Sequence, residues 1–95
     1  MKQVVDDKDF EIEASFLGGQ MVAAYIHLPS NHDLRSARCE RVEPGLIIDF
    51  SADGRPIGIE VTMPRMITLE SVNGVMRRLG VTEMSDRDFA PLRAA

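Results

Sequence analysis

The sequence predicts an α+β fold, an antiparallel β-meander of about five strands with a C-terminal α-helix packed on one face. Three observations predict it. Residues 10–16 alternate strictly between apolar and polar side chains, which is the period of a half-buried strand. Residues 46–61 hold two apolar runs joined at Asp53-Gly54, a dipeptide typical of hairpin turns. Residues 68–80 carry apolar side chains at helical spacing and end at a glycine.

The first predicted hairpin joins residues 10–16 to residues 20–28 through Gly18-Gly19, which supplies the positive φ angles of a tight turn. The second of these strands is apolar on both faces, with Val22, Ala24, Ile26 and Leu28 on one and Met21, Ala23, Tyr25 and His27 on the other. Such a strand is either central in the fold or covered by a second subunit. We therefore predict a dimer or partner surface formed by Met21, Ala23, Tyr25, His27 and Ile47.

The third predicted strand is residues 35–42, and the turn at Pro44-Gly45 leads into the fourth and fifth strands around Asp53-Gly54. The meander is thus predicted over residues 10–62. Gly58, on the face opposite its apolar neighbours, leaves room for close approach of another element. Residues 1–8 are acidic and aperiodic, and we expect them to be frayed.

The predicted helix spans residues 68–80, with Thr68 as its N-cap and Gly80 as a left-handed C-terminal stop. Its apolar stripe is Leu69, Val72, Val75, Met76 and Leu79. Gly74 inside the helix suggests a close helix–sheet contact. Residues 85–95 form a tail, and the whole chain, 1–95, is predicted to be a single domain.

Composition excludes several classes of function. The chain has 95 residues and a net charge of −4, with 15 acidic against 11 basic side chains, which argues against nucleic acid as a partner. The N-terminus lacks the apolar core of a signal peptide, and no apolar run is long enough to cross a membrane. Cys39 is the single cysteine, so no intramolecular disulfide can form. We expect a soluble, cytoplasmic protein without a cofactor.

Four segments of the chain resemble a known family of small proteins, domain of unknown function 2283 (DUF2283). They are Tyr25 to Leu28, Val42 to Phe50, the Asp53-Gly54 turn, and Ile57 to Val61. That family's pattern is a Tyr-Ile-x-Leu strand, a Glu-x-Gly-Val/Ile-x-x-Asp segment, an Asp-Gly hairpin and a Gly-Ile-Glu strand. The resemblance covers roughly residues 16–64. Family members tend to carry acidic residues before the tyrosine strand, where this chain has Gly18-Gly19-Gln20-Met21-Val22. The resemblance implies a small β-rich domain and supplies no activity.

Three sets of residues are candidates for chemistry, and each also has a purely structural interpretation, which we favour. Cys39 is a candidate nucleophile with His27 or His32 as its base, or else an inert strand residue. A metal set would comprise His27, His32, Asp33, Cys39 and Glu40, although these spacings match no standard zinc site. Glu43, Asp49 and Glu60 are candidate acid–base carboxylates, or else polar strand and turn residues paired with Arg41 or Arg55.

The sequence therefore predicts a non-enzymatic protein-interaction module, without catalytic, cofactor or metal residues. It would act as a homodimer or as the accessory, antitoxin-like half of a protein pair, and its acidic balance suits a basic partner. The alternative is a small-molecule or metal-binding domain with a site near Tyr25, His27 and His32. Gly18, Gly19, Pro44, Gly45, Asp53 and Gly54 are predicted to be structural turn residues.

Overall fold

The computed structural model describes residues 2–6, 10–29 and 34–94, and within them the chain forms six strands and two α-helices. The strands are β1 (Lys2–Asp6), β2 (Glu11–Leu17), β3 (Gln20–His27), β4 (Arg38–Glu43), β5 (Leu46–Phe50) and β6 (Pro56–Val61). The helices are α1 (Leu69–Leu79) and α2 (Asp86–Phe89), and α2 continues into a 3-10 turn at Ala90–Ala94. None of the helices in these segments is long and apolar enough to cross a bilayer.

The strands form one antiparallel sheet in the order β1-β2-β3-β6-β5-β4. Two three-stranded meanders, β1–β3 and β4–β6, meet where β3 pairs with β6, with Ala24 opposite Val61 and Ile26 opposite Ile59. The predicted fold class, an antiparallel sheet with a C-terminal helix on one face, is confirmed.

The N-terminal segment differs from the expectation of a frayed end. Lys2–Asp6 forms β1, which pairs with β2 so that Val4 lies opposite Glu13. An edge strand gains its backbone hydrogen bonds from one neighbour and needs no apolar alternation of its own, so local composition does not reveal it. The third predicted strand is also shorter than expected, since β4 begins at Arg38, although the Ala37 amide still donates to the Phe50 carbonyl at 2.8 Å.

One face of the sheet forms the hydrophobic core. Its buried sheet members are Ile12, Ala14, Met21, Ala24, Ile26, Leu46, Ile48, Phe50, Ile59 and Val61. Helix α1 contributes Val72, Val75 and Met76, and the segment after it contributes Met84, Phe89 and Leu92. The C-terminal third of the chain therefore covers one face of the sheet, and burial of these apolar side chains is the main stabilising term.

Helix α1 is closed at both ends by local hydrogen bonds. The Thr68 hydroxyl accepts from the Ser71 amide at 3.0 Å and the Ser71 hydroxyl accepts from the Thr68 amide at 3.0 Å, which makes a capping box. Gly80 adopts φ 70°, as predicted for the C-terminal stop. The predicted close contact at Gly74 is wrong, because a Cβ there would meet only Arg77 Nη2, at 3.9 Å.

A buried asparagine fastens the C-terminal segment to α1. Asn73 Nδ2 donates to the Met84 carbonyl at 2.8 Å, and the Met84 amide donates to Asn73 Oδ1 at 2.7 Å. Both polar ends of this side chain are thus satisfied inside the core, and Met84 is held where its side chain packs against the sheet.

Candidate functional site: a polar sheet face

The face of the sheet opposite α1 carries polar side chains between the core positions. We call it the outer face and define it by Glu11, Glu13, Ala23, Tyr25, His27, Ile47, Asp49 and Glu60, all of which are half-buried or exposed. The register places Tyr25 opposite Glu60, and Glu60 opposite Ile47. Four carboxylates therefore lie along this face, and Lys2 approaches one of them.

The centre of the outer face is a tyrosine that crosses a glycine to reach an aspartate. Tyr25 Oη donates to Asp49 Oδ2 at 2.8 Å, across β6. Gly58 lies between Asp49 and His27 in the register, and a Cβ on it would overlap the Tyr25 ring and hydroxyl. The room that the sequence predicted at Gly58 is thus occupied by Tyr25. Burial, followed by the hydrogen bond to Asp49, raises the pKa of Tyr25 well above its usual range.

A histidine and two glutamates lie beside the tyrosine. His27 Nε2 is 2.9 Å from Glu13 Oε1 and 3.7 Å from Glu11 Oε1. The His27 ring also meets the Tyr25 ring edge-on, with centroids 4.8 Å apart. The hydrogen bond from His27 holds the pKa of Glu13 below its usual range, and Lys2, 3.6 Å from Glu13 Oε2, acts in the same direction. Glu11, Glu13 and His27 each offer a ligand atom and together could hold a metal ion.

A shallow cavity of about 140 Å³ opens beside this network. Its lining includes Lys2, Glu13, Ser15, Tyr25 and Glu60, so most of its polar groups are charged. Small-molecule pockets usually enclose about 300–1,000 Å³. The cavity is therefore too small to bury a drug-sized ligand, and it offers a recess for one side chain or one ion.

One residue of the predicted partner surface lies elsewhere. Met21 is only 5% exposed and packs in the core, because a β-bulge shifts the β2–β3 register. Ser15 lies opposite Ala23 while Phe16 lies opposite Met21, so Val22 is the extra residue and Met21 turns inward. Ala23, Tyr25, His27 and Ile47 do share the outer face, but among carboxylates rather than in an apolar patch.

The structure does not bring Cys39 and His27 together. Cys39 is exposed on β4, and β5 and β6 separate that strand from β3, a distance of about 14 Å across the sheet. His32 and Asp33 lie outside the described residues. The described members of the predicted metal set are not brought together either, since Glu40 lies on β4 with Cys39 and His27 lies on β3. Asp49 and Glu60 occupy neighbouring strands of the outer face, whereas Glu43 is exposed at the end of β4.

The predicted turn residues occupy three hairpin connections. Gly18 and Gly19 have φ 60° and 81° between β2 and β3, Pro44-Gly45 joins β4 to β5, and Asp53-Gly54 joins β5 to β6. Arg55 pairs with Asp53, its Nη2 lying 2.8 Å from Asp53 Oδ2, rather than with a carboxylate on a neighbouring strand. Arg55 and Ser51 together lower the pKa of Asp53 to about 2.

Comparison with known proteins supports the resemblance noted in the sequence. Residues 23–62 match the model of a family described as protein of unknown function, DUF2283. The match runs from within β3 to just past β6, so it includes Tyr25, Asp49 and Gly58 but neither Glu11 nor Glu13. No curated protein matches the chain, and no solved structure does either. The chain is similar to this family over four of its strands, which supports the fold and supplies no activity.

Glu11 and Glu13 are the site residues that the sequence analysis did not single out. The alternation of residues 10–16 predicts only that they are solvent-facing strand positions, and their approach to His27 depends on the bulged β2–β3 register. The available signal was the Gly18-Gly19 turn, because it makes β2 and β3 hairpin partners and brings residues near 11 close to residues near 27.

Proposed function

We propose that the protein is a non-enzymatic interaction module whose outer face binds a basic segment of another protein. It would act as the accessory, antitoxin-like half of a protein pair. The observation that supports this proposal is the set of four carboxylates, Glu11, Glu13, Asp49 and Glu60, which the strand register arranges in two rows on the sheet face opposite the helix. Complementary charge steers a basic partner to such a face and sets its orientation.

The same face offers a firm platform for a partner. Tyr25 is held at its hydroxyl by Asp49 and rests over Gly58, so little side-chain entropy remains to be lost on binding. Ala23 and Ile47 are half-buried and supply apolar surface between the acidic groups. Anchoring aromatic residues with a charged rim are typical of protein–protein interfaces.

Exposed apolar side chains also lie at one end of the sheet. Leu17 and Val22 flank the β2–β3 turn, and Met63 and Met66 follow β6; they are 75%, 46%, 40% and 73% exposed. The C-terminal ends of β2 and β6 and the N-terminal end of β3 lie at the same end of the sheet. These four side chains therefore belong to that end. Exposed apolar side chains at this end of the sheet favour association with another protein.

The outer face suits a different partner better than a second copy of itself. In a twofold dimer the same surface patch meets on both subunits, which would place the four carboxylates near their own equivalents. Met21, which belonged to the apolar face on which the homodimer prediction rests, is buried in the core instead. The homodimer itself stays a prediction. Cytoplasmic location also stays part of this proposal, since an exposed, unpaired Cys39 suits a reducing compartment.

The test begins by identifying the partner through crosslinking in native cells. The affinity of the separately purified partner for the chain is then measured by calorimetry. The test variant is Glu13→Gln/Glu60→Gln, and the charge-matched control is Glu70→Gln/Glu83→Gln, two exposed acids of the helical segment. We expect the outer-face variant to weaken binding at least about tenfold and to reduce its salt dependence, with the control within about twofold. Equal weakening by both variants, or full affinity of the outer-face variant, would contradict the proposal.

A further inference from the structure

Three side chains of types that ligate metals, from two neighbouring strands, converge on the outer face. His27 lies directly opposite Glu11 in the β2–β3 register, and Glu13 lies two residues further along the same face of β2. Their ligand atoms, one imidazole nitrogen and two carboxylate oxygens, all lie within 4.8 Å of one another. We propose that Glu11, Glu13 and His27 bind one divalent transition-metal ion of the borderline class, for which Zn²⁺ is the probe.

The spacing of these atoms suits such an ion. Zinc–nitrogen and zinc–oxygen bonds of about 2.1 Å in a tetrahedral site place neighbouring ligand atoms about 3.4 Å apart. His27 Nε2 is 2.9 Å from the Glu13 oxygen and 3.7 Å from the Glu11 oxygen, and these two separations bracket that value, while the two glutamate oxygens lie within 4.8 Å of each other. Small rotations of the two glutamate side chains would admit an ion in place of the direct hydrogen bond between His27 and Glu13.

The scaffold holds these ligands in place. Glu11, Glu13 and His27 stand on adjacent paired strands rather than on a loop, so their backbone separations are fixed by the sheet. The Tyr25 ring contacts the edge of the His27 imidazole, with centroids 4.8 Å apart, and limits its rotation. The cluster therefore differs from a chance group of surface acids, since a ring nitrogen is directed between two carboxylates.

The chemistry of the ligands selects the class of ion. Two carboxylates balance the charge of a divalent cation, and a neutral imidazole adds a nitrogen ligand that Ca²⁺ and Mg²⁺ do not favour. The side chains of His27, Glu11 and Glu13 are 26%, 36% and 32% exposed, so water can complete the coordination. Lys2 approaches the other oxygen of Glu13, at 3.6 Å, and leaves Oε1 directed toward His27.

The test is calorimetric titration of the full chain with ZnCl₂ and, separately, MgCl₂. We expect one Zn²⁺ per chain and at least about tenfold tighter binding of Zn²⁺ than of Mg²⁺. His27→Gln and Glu11→Gln should each weaken Zn²⁺ binding at least about tenfold. His32→Gln and Cys39→Ser are the matched controls, because they remove the other histidine and the single thiol, and they should leave the affinity within about twofold.

Imidazole ¹⁵N chemical shifts give a second readout that does not depend on affinity. We expect Zn²⁺ to shift the Nε2 resonance of His27, and circular dichroism of each variant to match the wild type. The proposal is overturned if Zn²⁺ binding is lost in the His32 or Cys39 variant, or persists unchanged in the Glu11 and His27 variants, or is undetectable. The metal site shares Glu11 and Glu13 with the proposed partner surface, but its test uses the ion alone, so its failure is distinguishable from failure of the partner proposal.

Discussion

The chain has one tyrosine and no tryptophan, so Tyr25 can be observed alone by absorbance. Its hydroxyl is both half-buried and hydrogen-bonded to Asp49, and the carboxylates of Glu60 and Glu13 lie near it. Each of these effects disfavours the negatively charged tyrosinate. Tyr25 is therefore a reporter of the outer face, and its ionisation measures how well the network around it is formed.

We predict that the absorbance titration of Tyr25 has a midpoint well above the ordinary tyrosine pKa of about 10. Asp49→Asn should lower the midpoint, because it removes the negative charge that disfavours tyrosinate, but the midpoint should stay raised because burial is the largest cause. Circular dichroism at each pH separates ionisation from unfolding. A wild-type midpoint at the ordinary value would show that Tyr25 does not hold this position.

Gly58 makes the position of Tyr25 possible, because a Cβ there would overlap the tyrosine ring. We predict that Gly58→Ala lowers the free energy of unfolding by about 1–3 kcal/mol, the usual cost of overpacking. The matched control is Gly74→Ala, where the helix leaves open space; it should stabilise by about 0.5–1 kcal/mol. Urea unfolding measures both values.

A double-mutant cycle identifies the cause of the Gly58 effect. If the methyl group collides with the tyrosine ring, Gly58→Ala should cost much less in a Tyr25→Ala background. An equal cost in both backgrounds would place the strain in the backbone of β6 and would contradict the packing described at the centre of the outer face.

At the scale of elements, the β2–β3 hairpin shows where sequence patterns succeed and fail. The alternation in β2 correctly placed Ile12 and Ala14 in the core. A two-residue turn without a bulge would put Ile12 opposite Tyr25, whereas the bulge puts Ile12 opposite Ile26. The sequence of β3 could not reveal this shift. Both sets of alternate residues in this strand are mostly apolar, so either set could face the core.

The β5–β6 hairpin is stabilised by charge at its turn. Asp53 accepts hydrogen bonds from Ser51 Oγ and from Arg55 Nε, the latter at 2.9 Å, and these contacts lower its pKa from 3.8 to about 2. A carboxyl group with a depressed pKa stabilises the fold above its ordinary pKa, and this contribution is lost as pH falls through the depressed value. The stabilisation by Asp53 is thus complete above about pH 4 and disappears toward pH 2.

We predict that Asp53→Asn is less stable than the wild type at about pH 6 and that this difference shrinks between about pH 4 and pH 2. Thermal unfolding followed by circular dichroism across this range measures it. A difference that is constant over the whole range would show that the Asp53 carboxylate is not responsible, and that the amide variant changes only the turn conformation.

The link between α1 and the C-terminal segment depends on Asn73. We predict that Asn73→Ala lowers the free energy of unfolding by about 2–4 kcal/mol, because it leaves the buried amide and carbonyl of Met84 without their partner. Arg77→Ala is the control: it removes an exposed ion pair with Glu83 between the same two segments and should cost less than about 1 kcal/mol. Comparable costs would contradict the dominant role of Asn73.

At the scale of the whole molecule, the sheet has one apolar face covered by the helices and one polar outer face. Only part of this arrangement could be predicted from the sequence. The hairpins, the capped helix and the apolar stripe were predictable because each depends on residues close in the chain. The strand order was not, because it depends on the pairing of β3 with β6, residues 24–27 with 58–61, which no local pattern encodes. The group of four carboxylates on the outer face follows from that pairing and from the bulged β2–β3 register.

The most direct measurement is the accessibility of the two faces in solution, by NMR relaxation enhancement with a neutral gadolinium chelate. We predict strong enhancement for the side-chain protons of Ala23, Tyr25 and Ile47, and weak enhancement for those of Ile59 and Val75. Outer-face protons protected as strongly as the core would mean that a second copy or another segment covers this face. That result would contradict its assignment as the binding surface.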